Sequence, residues 1–165
     1  MLPIDFSNRM KELLGDEYEK FEASYSENPV RSFRVNTNKI SKDNFDKINP
    51  FGGKKIPYAE NGFYFSCDGI GNHPYHHAGM IYIQEPSAMA AVASIDIRSD
   101  WNILDLCASP GGKSTQTAAQ NPNGILISNE IIPSRCKTLT GNIERMGFQN
   151  VITTCANAKR IASLY

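Results

Sequence analysis

The sequence predicts an α/β fold in two parts. A small α+β domain spans residues 1–75, and residues 76–165 form helices alternating with the strands of a parallel sheet. Three observations carry this. Past residue 100, short apolar runs alternate with segments of helical spacing, at lengths that suit strand–helix–strand units. A Gly-Gly turn joins the first of these runs to the helix behind it, within Asn102 to Thr115. The Gly-, Pro- and His-rich stretch 69–79 separates this half from an N-terminal region of different patterning.

Taken in order, Phe6, Met10, Leu13, Leu14, Tyr18 and Phe21 recur at near-helical spacing, broken at Gly15-Asp16, which predicts two short helices. Pro29 ends the helical region, and Ser32 to Asn36 alternates as a strand. A helix over 41–48 has Ser41 as its N-cap and Phe45 and Ile48 on one face. Residues 49–53 form a turn, and 62–65 a further strand. Pro86 suits the first position of a helix that runs on through Ala88 to Ala93. The remainder reads as strand 102–106, helix from about 112, strand 124–129, helix 133–146 and strand 150–154. In the second helix Cys136, Leu139, Ile143 and Met146 share one face, and Gly147 is placed to cap it.

The segment Leu104-Asp-Leu-Cys-Ala-Ser-Pro-Gly-Gly-Lys-Ser-Thr115 is the most informative in the chain. Small residues and adjacent glycines between strand and helix let backbone approach a ligand and leave helix amides to meet it. A second apolar run, Ile125–Ile127, leads to Glu130. A carboxylate at the end of the second strand suits ribose hydroxyls, so loop and acid together suggest an adenosine-containing cofactor. A phosphate-binding Walker loop fails, because its first glycine would fall at Cys107. The dinucleotide pattern Gly-x-Gly-x-x-Gly fails because the only nearby glycines are adjacent. The competing reading is an ordinary Pro-Gly turn; Asp105 ahead of the turn and Glu130 beyond it weigh against that.

These residues closely resemble the cofactor loop of the Sun (Nol/Nop/Sun) family of RNA cytosine-5 methyltransferases, whose bacterial members modify ribosomal RNA. The resemblance extends to Arg34-Val-Asn-Thr37, Tyr82-Ile-Gln-Glu-Pro-Ser-Ala-Met89, Asn129-Glu130 and Arg135. It implies the first half of a Rossmann-like class I methyltransferase domain, S-adenosylmethionine as cofactor and RNA as partner. Cys107, Ala108, Ser109, Pro110, Gly111, Gly112 and Lys113 would wrap the methionine and ribose portion. Lys113 would pair with the cofactor carboxylate or a neighbouring acid, or stand solvated. Glu130 would hold the ribose, and Arg135 would order the site through an ion pair. Asn157 stands where the family usually has an aspartate that accepts from the adenine amino group. The resemblance also implies two catalytic cysteines in Asp-Ala-Pro-Cys and Pro-Cys-Ser/Thr contexts, and neither motif occurs here. No catalytic residue is therefore assigned, and Cys107 is kept to the cofactor loop. The expectation is a fragment, inactive alone, with an open sheet edge and apolar surface meant for a missing C-terminal segment or complementing chain. The alternative is a non-catalytic adenosyl-ligand or RNA-binding module that needs a partner chain.

Composition sets wider bounds. Seventeen Lys and Arg balance seventeen Asp and Glu, so no net basic field advertises nucleic acid. Arg31, Arg34 and Lys39 flank the first strand and are candidates for RNA phosphates, weighed against a merely solvated face. No apolar run reaches the roughly twenty residues of a membrane span, and Met1 to Phe6 shows no signal-peptide pattern. The cysteines Cys67, Cys107, Cys136 and Cys155 are scattered, which suits reduced thiols in the cytoplasm. Cys67 with His73, His76 and His77 matches no zinc spacing, so no metal is expected.

Overall fold

In the N-terminal part an aromatic core holds helices against an antiparallel sheet. A computed structural model describes residues 2–164. Helix α1 (Ile4–Leu14), a 3-10 turn at Gly15–Glu17 and α2 (Tyr18–Ser24) open the chain, breaking where Gly15-Asp16 predicts. Strand β1 (Arg31–Val35) follows, then α3 (Lys42–Ile48), capped by Ser41 Oγ, which accepts from the Asn44 amide. Short β2 (Lys55–Ile56) and long β3 (Ala59–Phe65) complete a hairpin. A 3-10 turn (Ile70–Asn72) and α4 (Pro74–His77) lead to β4 (Ile81–Ile83). The sheet order is β2-β3-β1-β4, antiparallel throughout. Phe33 lies opposite Phe63 in register and stacks on it with ring centroids 5.5 Å apart. Phe45 from α3 closes over both.

Of the elements so far, β2, α4 and β4 lie outside the sequence pattern. The stretch 69–79 holds α4, whose first turn is capped by His73 Nδ1 accepting from the Tyr75 amide. Strand β4 lies beyond residue 75 yet is the fourth strand of the N-terminal sheet, pairing Phe33 with Ile83 and Val35 with Ile81.

Helix α5 (Pro86–Ala93) leads into the second sheet: β5 (Ile103–Asp105), α6 (Gly112–Gln120), β6 (Leu126–Asn129), α7 (Pro133–Met146), β7 (Val151–Thr154) and α8 (Ala158–Ala162). The strands run parallel in the order β5-β6-β7, as alternation requires. Leu126 is buried with Ala118 of α6 and Leu139, Ile143 and Met146 of α7, so both helices cover one face. Successive strand residues point to opposite faces. The row Leu104, Ile127 and Ile152 therefore faces away, and Leu104 and Ile152 are about half exposed. β5 is an edge of the sheet as described. Among the described residues no helix is long and apolar enough to cross a membrane.

Arg34, Asn36 and Lys39 join the two sheets. The Arg34 guanidinium is buried; it donates to Thr115 Oγ1 at 2.7 Å and, through Nε, to Gln84 Oε1 at 3.4 Å. Burial pushes its pKa down to about 10, so it stays charged at neutral pH. Asn36, fully buried, donates to the carbonyls of Gly79 and Met146, each at 2.8 Å. Lys39 Nζ donates to the carbonyls of Ala78 and Arg145. The expected phosphate contact of Arg34 is thus corrected: with Phe33 and Val35 in the aromatic core, Arg34 lies on the opposite face of β1, and α6 covers that face too; Lys39 remains exposed while bridging the ends of α4 and α7. Arg31 pairs with Asp68 at 2.9 Å.

Replacing Asn36 with Ala leaves two buried carbonyls without their donor. It is expected to cost about 2–3 kcal/mol, read as a lowered urea midpoint at unchanged slope. A loss under half a kcal/mol would mean that Asn36 does not join the sheets.

Candidate functional site

The loop between β5 and α6 is held at both ends. Asp105 Oδ2 accepts from Ser114 Oγ at 2.7 Å, tying the strand end to the first turn of the helix. The Ala108 amide donates to Asn129 O at 2.8 Å, fastening the loop to the end of β6. Pro110, joined to Ser109 by a cis peptide, offers its carbonyl to Asn142 Nδ2 at 2.8 Å and to the Tyr82 hydroxyl at 3.2 Å. Gly111 then takes φ 110°, a left-handed conformation that side chains other than glycine rarely adopt, and caps α6. A Cβ there would meet Leu139 Cδ1 at 3.2 Å; at Gly112 it would meet Gln84 Cδ at 3.3 Å. Both glycines of the motif are therefore set by close packing as well as by the turn.

Beside this loop lies a hollow of about 240 Å³, lined by Gln84, Glu85 and Ala88 on one wall and by Asp105, Cys107, Pro110 and Lys113 on the other. Cys107 and Lys113 are exposed to it, whereas Ala108 packs into the core. The first-turn amides of α6 have no partners within the helix, so they are available to a ligand. Lys113 forms no ion pair among the described residues.

Glu130 directly follows β6, buried, with Oε1 accepting from the Ile132 amide at 3.1 Å and Oε2 from Arg135 Nε at 3.2 Å. The amide of Ile132 first, and then the Arg135 guanidinium, hold its carboxyl below the usual carboxylate range. Arg135 also donates to Ser109 O, and Ser109 Oγ donates back to Arg135 O. Loop, acid and arginine thus form one connected group. Asn157 lies apart from it, exposed, with Oδ1 capping α8 by accepting from the Arg160 amide at 2.9 Å.

Sequence reasoning missed three supporting side chains. Asn129 donates to both Leu106 O and Ala156 O, binding the exits of β5 and β7 together. Gln84 donates to Gln116 Oε1, and Gln116 to Met89 O, locking α5 against α6. An amide-bearing residue at the end of an apolar run, as Asn129 is, was the available signal.

A parallel sheet with a glycine-capped helix after its first strand and an acid after its second is the first half of a Rossmann-like methyltransferase domain. Residues 2–86 match the N-terminal domain of 16S rRNA methyltransferase RsmF, and residues 92–164 match 16S rRNA methyltransferase RsmB/F. The chain belongs to this family. The ribosomal RNA small subunit methyltransferase F of Shewanella woodyi is 39% identical, over 82% of this chain and 31% of its own length. That of Vibrio vulnificus is 38% identical, over 90% of this chain and 34% of its own. The chain therefore spans about a third of the length of these curated relatives. Among solved structures, a methyltransferase homologue from Pyrococcus horikoshii superposes with TM-score 0.85 at 29% identity, covering 99% of this chain and 55% of that one. NSun6 from the same organism, solved with SFG, gives TM-score 0.85 at 19% identity over 98% of this chain and 67% of its own, a likeness of fold.

Two glycines are expected to respond with opposite sign. Gly111→Ala forces a side chain into the left-handed region and against Leu139, costing about 1–3 kcal/mol. Gly141→Ala, inside α7 with open space around it, should gain about 0.5–1 kcal/mol. Thermal melts of both variants check this, and equal shifts would remove the conformational argument. Glu130 carries a pH signature. Its folded pKa is depressed, so its contribution is present above the ordinary carboxylate pKa and is lost as pH falls through the lower folded value. The wild-type Tm should therefore drop more than that of Glu130→Gln between neutral pH and about pH 3. Parallel acid limbs would refute the pairing.

Proposed function

We propose that this chain supplies the S-adenosylmethionine-binding part of an enzyme that methylates carbon 5 of cytosine in 16S ribosomal RNA. The observation that carries the reading is the joined group of Gly111-Gly112, Glu130 and Arg135 around one loop, in a chain of the RsmB/F family. S-adenosylmethionine, when bound, supplies a methyl group on a sulfonium centre. Everything else is work for the chain. The stretch from Cys107 to Lys113 lies along the methionine and ribose portion, with Gly111 and Gly112 admitting the backbone and the α6 amides donating. Exposed Lys113 meets the cofactor carboxylate. Glu130, ionised at neutral pH by its own partners, accepts from the ribose hydroxyls, and Arg135 fixes its carboxylate. Asn157, with one acceptor already engaged in capping, keeps its amide donor and a remaining lone pair for the adenine edge. The residue types fit the cofactor: one buried anion for hydroxyls, one free cation for a carboxylate, and small residues where the backbone must come close.

The chain contributes no assigned nucleophile, since neither Pro-Cys motif occurs in it. Catalysis in this reading needs further residues, from a C-terminal segment or a complementing chain, with ribosomal RNA as substrate in the cytoplasm. The uncovered row Leu104, Ile127 and Ile152 and the β5 edge favour a second reading, a binding module that works only with a partner chain.

Calorimetric titration of the purified chain with S-adenosylmethionine, against ATP with magnesium, tests the proposal. Saturable binding of S-adenosylmethionine is expected, abolished in Gly111→Val and weakened about 10- to 100-fold in Glu130→Ala, the cost of losing a charged acceptor. No binding by a cooperatively folded chain would overturn the cofactor role, and preference for ATP would revive a phosphate-binding loop.

A further inference from the structure

Cys136 and Cys155 stand outside the cofactor group and have no part in it. Cys136 lies in the first turn of α7, and Cys155 directly follows β7. Their thiols cross: Cys136 Sγ donates to Thr154 O at 3.6 Å, the carbonyl just before Cys155, while Cys155 Sγ donates to Ile131 O at 3.8 Å, at the entry to α7. Each thiol thus reaches the backbone beside the other cysteine's own element. Both line one shallow hollow with Pro133, Lys137 and Thr140. The pairing repeats one step further along, where Thr140 Oγ1 meets Thr153 Oγ1 at 3.2 Å. Positions four apart on the helix face positions two apart on the strand, so the approach of the thiols belongs to the packing of α7 on β7. All four cysteines are free thiols, Cys155 exposed and Cys136 partly buried.

From this geometry we propose that Cys136 and Cys155 are an oxidisable pair, closed to an intrachain disulfide by a peroxide. The exposed Cys155 sulfur, as thiolate, attacks one peroxide oxygen, the O–O bond breaks, and Cys155 becomes a sulfenic acid with release of hydroxide. The Cys136 sulfur then attacks Cys155 Sγ; the S–S bond forms, the S–O bond breaks, and water leaves carrying the Cys136 proton. Two electrons pass from the thiols to the peroxide. Burial raises the pKa of the Cys136 thiol, with the neighbouring Cys155 adding to the effect, so Cys136 waits as the second partner and not the first. Reduction by an added dithiol reverses the step.

The test is mild hydrogen peroxide on the whole purified chain, then alkylation, intact mass and peptide mapping. The expected result is a monomer lighter by two hydrogens, with alkylatable cysteines falling from four to two. Peptides carrying Cys136 and Cys155 should be linked, Cys67 and Cys107 should remain alkylated, and dithiothreitol should restore all four. In Cys136→Ser the same dose should leave a Cys155 sulfenic acid that dimedone traps, with no linked peptide. Retention of both thiols, linkage through Cys107 or Cys67, or crosslinking between chains would overturn the proposal. Because the wild-type map decides it, a variant that folds poorly does not shield it.

Discussion

A buried guanidinium with no carboxylate partner among the described residues holds the two halves of this protein in one arrangement. Arg34 donates to Thr115 Oγ1, and that hydroxyl in turn donates to the carbonyl of Gly111, 2.8 Å away. A residue on an N-terminal strand thereby reaches the conformationally special glycine of the β5–α6 loop through a single side chain. The charge is compensated without an acid. Neutral oxygens of Gln84, Thr115 and Gly112 accept from it, and the Tyr82 ring lies with its centroid 5.8 Å from the guanidinium carbon. Removing any one of these acceptors leaves a buried cation short of a partner, which couples the integrity of the loop to the N-terminal sheet.

The loop and the acid beside it are built on the same sharing of partners. Arg135 serves Glu130 and Ser109 together, Asn129 serves the exits of two strands, and the Pro110 carbonyl serves both Tyr82 and Asn142. Because each group answers to several elements, the loop arrives at its shape with the fold already formed. Such preorganisation reduces what a ligand must order on binding.

Much of this was legible in the sequence because period and punctuation are local. The alternation past residue 100, the Gly-Gly turn, the Ser41 cap and the apolar face of α7 are each decided within a dozen residues, and the structure has them where the pattern puts them. Glu130 was legible as an acid at the end of a strand, and Arg135 only through the family resemblance, which implied an ion pair without naming its partner. Arg34 was not. Alternation puts Arg34 on the face of β1 opposite Phe33 and Val35, but it cannot say that this second face is buried as well, against a helix eighty-one positions away. Strand β4 is three residues long, too short to show a period, and takes its strand geometry from pairing with β1. Asn157 read as an adenine contact, while its side chain is also engaged locally in starting α8.

Helix α7 has consequences beyond covering a sheet. It is 14 residues long, about 21 Å at the usual rise. Its last turn is gripped by N-terminal side chains, Lys39 on the Arg145 carbonyl and Asn36 on that of Met146. Its first turn carries Arg135 onto Glu130. It is a rod clamped at the far end and loaded at the near one. The angle at which α7 meets the N-terminal sheet therefore also sets where Arg135 stands against Glu130 and Ser109.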